Sequence, residues 1–292
     1  MTPLTPTPVI LGASRLGDRP GAEELADALL ASHLGHVDTS NNYAEGRSEQ
    51  LLGDAVRRAG GIPGHTAIYS KADSDPVTGA FDGDRVRRSL DESLTRLGVD
   101  SLPLYQFHDP YGITFHDAMA PDGPVQALLD LRDQGVIGAI GIASGTLAQV
   151  REYVETGVFD VVLSHNRYTL VDRSAAQLFA DARERGMIVF NAAPFGGGTL
   201  ANNAETYGYR PMPPDFAAHV KKVRALADDH RVELAAAALH FSLRDPRVNS
   251  TVVGVPSLDR LADLARLTDT QVPDDFFAAV EDLGTPPPSA ND

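Results

Sequence analysis

Short apolar, β-branched runs alternate with amphipathic stretches from near residue 8 to near residue 269, a pattern that predicts a parallel sheet whose strands are joined by helices. The predicted strands are 8 to 12, 35 to 39, 66 to 71, 102 to 107, 136 to 142, 158 to 163, 187 to 192 and 250 to 253. The clearest helix is 82 to 97, where Val86, Leu90, Leu94 and Leu97 recur on one face and Gly98 follows as a C-terminal cap. Val220, Val223, Leu226 and Ala227 form a second apolar stripe against Lys221, Lys222, Arg224 and Asp228, so both helices are built to cover a sheet. Eight such units favour a single closed (β/α)8 TIM barrel, of class α/β, over a doubly wound sheet. The segment between the seventh and eighth strands is long; its Gly, Asn, Tyr and Pro content over 196 to 214 predicts a loop over the barrel mouth, and two helical segments follow. The tail from about 284 carries three consecutive prolines and is expected to be disordered or loosely laid on the surface of one domain spanning 1 to 292.

Three predicted strands close on ionisable residues: HVDTS on Asp38, TAIYSK on Lys71 and LPLYQFH on His108, with Tyr43 just beyond the first. Lys71 follows Asp38 by 33 residues and His108 follows Lys71 by 37, close to the length of one βα unit. Neighbouring parallel strands lie about 4.8 Å apart. Their carboxyl ends would therefore gather the acid, amine, phenol and imidazole where α/β folds bind ligands. A phenol ordinarily titrates at about 10, so the Lys71 ammonium, held by Asp38, is expected to favour its ionised form. His108 is left to donate a hydrogen bond to a substrate oxygen. This set moves protons onto or off oxygen but supplies no electron pair, and a nicotinamide is implied as the hydride carrier.

At 292 residues with 42% hydrophobic content the chain can bury a large core. A net charge of −15 opposes binding to nucleic acid or anionic membranes. The absence of cysteine removes disulfides, thiolate metal sites and thiol nucleophiles. The opening MTPLTPTPVI does not read as a signal peptide, and no run approaches the length of a membrane span, so a cytoplasmic protein is expected. The histidines other than His108 fit no HxH or HExxH pattern, and there is neither a strand-GxGxxG-helix unit nor a GxxxxGK[ST] loop.

The run GHVDTSNNYAEGRSEQLLGDAV, Lys71, His108 after LYQF, and then IGIAS, APFGGGTLA and VVGVPSLDRLADL, in that order over nearly the whole chain, resemble the aldo-keto reductases. The resemblance implies a barrel binding NAD or NADP in extended form. Tyr43 would be the proton donor and acceptor, tuned by Lys71 and Asp38, with His108 orienting the substrate oxygen. It carries Ser144 onto the nicotinamide carboxamide, Pro194, Phe195, Gly196, Gly197 and Gly198 onto the pyrophosphate loop, and Gly254, Ser257, Arg260 and Asp263 onto the adenosine end. The sixth-strand glutamine of the pattern falls at His165 or Asn166. Gly145 stands where an asparagine is common, Ala192 where an aromatic stacks on the nicotinamide, and Pro256 where a basic residue grips the 2′-phosphate of NADP. The last departure favours NAD or dual use. SHNRYTLVDRSAAQLF and its surroundings are similar to the aldose 1-dehydrogenase and pyridoxal dehydrogenase branch, which implies a small carbonyl or sugar substrate, with Tyr43 removing the proton of an anomeric hydroxyl. Two rival readings use other properties of the same residues: a metal-dependent barrel hydrolase or isomerase on His108, Asp109 and Asp38, and a nicotinamide-bound regulatory subunit. Missing ligand spacings disfavour the first, and retention of all four chemical residues disfavours the second.

Overall fold

The computed structural model describes residues 4–291 and contains a closed barrel of eight parallel strands. In chain order the strands are Val9–Gly12, Gly35–Asp38, Ile68–Ala72, Leu102–His108, Ile137–Ala143, Val161–His165, Ile188–Ala192 and Ser250–Gly254. Each pairs with its chain neighbours, and the first closes on the last with Val9 opposite Thr251 and Gly12 opposite Gly254. All eight predicted strands are present, shifted at their ends by up to three residues. The predicted helix over 82 to 97 is Gly83–Leu97, capped by the Asp82 side chain on the Arg85 N–H and closed by Gly98 in the left-handed conformation.

Because side chains alternate across a strand, each strand divides its residues between two cores. Ile10, Tyr69, Leu104, Val161, Leu163, Phe190 and Val252 point inward and fill the barrel. Val9, Leu11, Val37, Ile68, Tyr105 and Phe107 point outward against the helices. The same period of two that sends Tyr69 and Leu104 inward also sends Lys71 inward on the third strand, and Gln106 and His108 on the fourth. The apolar plug therefore occupies the lower layers, and the last inward position of each strand is left for polar chemistry at the carboxyl-end mouth.

The segment from 193 to 249 holds the two helices expected of it, and the stretch before them is more than a loop. It contains a one-turn helix at Gly196–Gly198, a two-stranded hairpin of Thr206–Tyr207 and Arg210–Pro211, and helices Pro214–His230 and Leu234–Leu243. The hairpin buries Tyr207 against Phe216 and stands over the mouth. The described part of the tail runs back across the same face, where the Asn291 carbonyl accepts from Arg167. Among the described residues no helix is long and apolar enough to cross a membrane.

Candidate active site

Lys71 is fully buried, and all three of its N–H donors are used. Nζ donates to Asp38 Oδ2 at 2.5 Å, to the Thr39 carbonyl at 2.6 Å and to the Tyr43 hydroxyl at 3.2 Å. The other Asp38 oxygen accepts from Gln106 Nε2 at 3.0 Å. Burial alone would pull the Lys71 ammonium down, but the Asp38 carboxylate and Tyr43 outweigh it and hold the amine above its ordinary range. The Tyr43 ring meets the His108 ring edge-on, with centroids 5.7 Å apart. The structure thus brings Asp38, Tyr43, Lys71 and His108 around one cavity of about 240 Å³, also lined by Asp109, Leu163, His165, Ala192 and Gly254.

One expectation is corrected. Burial pushes the Tyr43 phenol up to about 12, Lys71 pulls against that rise, and the charges of Asp38 and Asp73 add to it. The phenol is therefore held protonated at neutral pH, a donor by default rather than a ready base.

Tyr43 is carried by a strained turn. Ala44 and Glu45, both non-glycine, sit in the left-handed region, and the Tyr43 N–H bonds the Ser40 carbonyl. Residues outside the predicted site hold this turn. Asn41 donates to the Ser89 carbonyl and to Glu92 Oε2, both at 3.1 Å, Arg85 donates to Asn41 Oδ1 at 2.7 Å, and Arg96 donates to the Asn41 carbonyl at 2.8 Å. Arg96 also reaches Glu49, which is buried and accepts from Ser70 at 2.6 Å. Within GRSEQLLG, then, Ser48 and Glu49 brace the loop from behind the strands and do not face the cavity.

Asp73, the residue that follows the third strand, was not singled out from the sequence. Its Oδ1 lies 2.6 Å from His108 Nδ1. No motif marks it, and only its offset of two from Lys71, the inward period continued, could have drawn attention to it.

The cofactor positions form a track from the fifth strand round to the eighth. Ser144 is buried at the end of the fifth strand, with Gly145 beyond it. A Cβ on Gly145 would come within 2.6 Å of His165, whose ring occupies the space an asparagine side chain would take. Asn166 sits left-handed at the end of the sixth strand, and its Oδ1 is buried without a partner. Ala143, Leu163 and Ala192 give the cavity a small apolar floor. After the seventh strand, Pro194 and Phe195 lead into Gly196, Gly197 and Gly198, which with Ala193 turn through positive φ; a Cβ on Gly196 or Gly197 would also strike the hairpin at Tyr207 or Gly208. Gly254 is open, Ser257 caps the helix Leu258–Asp269, and Arg260 is held by Asp263 at 3.1 Å. Pro256 and Ser257 share a cleft of about 210 Å³ with Arg15 and Arg19 of the first loop. An apolar floor beside Tyr43, an orphaned amide oxygen and a loop of backbone bends leading to a helix N-terminus fit an extended dinucleotide.

His108, Asp109 and Asp38 line the same cavity, but the two Asp38 oxygens are taken up by Lys71 and Gln106. Among the described residues no three or more His, Asp or Glu converge as a metal-holding group.

The model of the Aldo/keto reductase family matches residues 8–285. The chain is 28% identical to a pyridoxal 4-dehydrogenase of Microbacterium luteolum, over 97% of this chain and 95% of that protein. It is 30% identical to a D-threo-aldose 1-dehydrogenase of a Pseudomonas species over 66% of this chain and 60% of that one. It is 28% identical to an L-galactose dehydrogenase of Arabidopsis thaliana over 90% and 84%. Among solved structures, the aldo-keto reductase AKR11C1 of Bacillus halodurans in its holo form shares the fold at a TM-score of 0.79, with 21% identity and coverage of 96% and 93%. The chain belongs to the aldo/keto reductase family and is an NAD(P)-dependent oxidoreductase.

Proposed function

We propose that this enzyme oxidises the anomeric carbon of a free sugar, or a comparable cyclic hemiacetal such as that of pyridoxal, to the lactone. The observation that carries this reading is the single contact set of Lys71 Nζ with Asp38, Thr39 and Tyr43, which fixes the phenol at the cavity edge beside His108. The nicotinamide, when bound, supplies or accepts the hydride. Tyr43 and His108 hold the reacting oxygen, the hydroxyl proton passes to the free ring nitrogen of His108 as hydride leaves the carbon, Lys71 fixes the phenol, and Asp38 with Gln106 fixes Lys71. Polar side chains at the mouth, Asp109 and His165, leave room and hydrogen-bonding capacity for further hydroxyls of a sugar ring. The three dehydrogenase relatives act, by their names, on substrates of this kind.

For the cofactor, Pro256 removes the basic side chain expected beside a 2′-phosphate, while Arg15 and Arg19 line the same cleft. This supports use of NAD, or of both cofactors.

The test is a panel of free sugars and pyridoxal assayed with NAD and NADP by absorbance of the reduced nicotinamide, with Tyr43→Phe as control. Oxidation of one or more hemiacetals, reduced about 10² to 10⁴-fold in kcat by Tyr43→Phe, is expected. Activity confined to simple aldehydes would sink the substrate assignment, and a strong preference for NADP would overturn the cofactor assignment.

A further inference from the structure

Both oxygens of Asp73 are committed. Oδ1 faces His108 Nδ1 at 2.6 Å, while Oδ2 accepts from the Asn42 backbone N–H at 3.0 Å and from the Ser40 hydroxyl. The side chain is buried at the root of the site. Burial pushes its carboxyl up, but the charge of His108 and the hydrogen bonds from His108, Ser40 and Asn42 outweigh that and hold it below the usual carboxylate range. A carboxylate can only accept, so Nδ1 must be the donor and must carry the hydrogen. In a neutral imidazole the other nitrogen is then a bare lone pair. That nitrogen, Nε2, lies 3.6 Å from Asp109 Oδ2, and both residues line the cavity.

We propose that Asp73 is a positioning residue that locks His108 with its hydrogen on Nδ1, so that Nε2 accepts from a substrate hydroxyl and the site selects an alcohol or hemiacetal over a carbonyl. A hydroxyl has a hydrogen to give to Nε2, whereas a carbonyl oxygen brings only lone pairs and must rely on Tyr43, which burial keeps protonated as a donor. The arrangement has the logic of an aspartate that holds an imidazole in the tautomer its partner needs. It deepens the dehydrogenase reading and rests on it. The charged and titratable groups facing the ring are Asp73 after the third strand, Asp109 after the fourth, His165 on the sixth, 4.0 Å from Asp109, and Tyr43 from the loop after the second strand, backed by Lys71 and Asp38.

Asp73→Asn tests the lock, because the surroundings dictate how the amide must sit. The Asn42 N–H can only donate, so the amide oxygen stays on that side and the NH₂ turns toward Nδ1, driving the ring hydrogen to Nε2. KM for a hemiacetal is expected to rise about tenfold or more, the value of a hydrogen bond turned into a clash of donors. KM for a carbonyl substrate should stay level or fall, with kcat moving so that the overall equilibrium is kept. A purely structural role would move both KM values together, and that result overturns the proposal. Independently, ¹⁵N NMR of the wild-type protein, with His108 assigned by difference from His108→Gln, should show the hydrogen on Nδ1. A hydrogen on Nε2 overturns the proposal whatever the kinetics. If no hemiacetal is oxidised at all, the dehydrogenase reading fails while the NMR result still decides the placement of Asp73.

Discussion

Lys71 has no water to fall back on. Truncating it by Lys71→Met would leave Asp38 buried with Gln106 as its remaining partner. An uncompensated buried charge of this kind costs about 3 to 5 kcal/mol, so a clear drop in the urea midpoint is expected alongside loss of turnover. A midpoint within error of wild type would show that the pair is not stabilising. Asp73 makes a prediction of a different sort. Its folded carboxyl lies below its unfolded value, so its stabilisation is complete above a pH of about 4 and fades as pH falls through the folded value. The stability gap between wild type and Asp73→Asn, followed by thermal unfolding, should therefore shrink as the pH is taken below about 4. The chemical residues at strand ends were legible because each closes an apolar run. Asp73 was not, because it stands beyond its strand in a polar stretch where its charge looks solvated, and only the folded loop brings Ser40, Asn42 and His108 onto it.

At the scale of elements, the loop after the second strand is shaped by the helix Gly83–Leu97. Arg85, Ser89, Glu92 and Arg96 of that helix reach over to Asn41, two residues before Tyr43. Arg96→Met removes the bond to the Asn41 carbonyl and one partner of Glu49, whose carboxyl burial already pushes up. A loss of about 1 to 3 kcal/mol is expected, with a several-fold fall in kcat from a loosened phenol. Unchanged kcat at reduced stability would mean that the turn holds its shape unaided. The apolar stripe of this helix announced its existence and both ends, whereas nothing in the sequence marks Arg85 and Arg96 as facing a loop. Polarity along a helix does not reveal that a neighbouring loop will cover it. The strands were legible because their apolar runs give way at the carboxyl ends to polar or turn-forming residues. The two-residue strands at Thr206–Tyr207 and Arg210–Pro211 are too short to leave a period of two.

For the whole molecule, a cofactor track running from the fifth strand to the eighth ties together elements far apart in sequence. A ligand bound along it stabilises the folded barrel by mass action, about 2.7 kcal/mol at one hundred times its Kd. For a chain of this size that corresponds to a rise in Tm of roughly 4 to 5 °C. Thermal melts with saturating NAD and NADP should show it for at least one of them, and no shift with either would remove the ground for the track. Barrel closure was legible from the count of strands and the chain length, but the shape of the mouth was not, since it is made by loops with no repeating pattern.

The vacancy at Gly145 constrains how this site can be altered. Its missing side chain and the imidazole of His165 share one volume, so restoring an asparagine there in a single step would drive that ring out of its place above Asp109. Any side chain at position 145 therefore calls for a smaller residue at position 165, and in laboratory evolution the codon for 165 should change first or the two together.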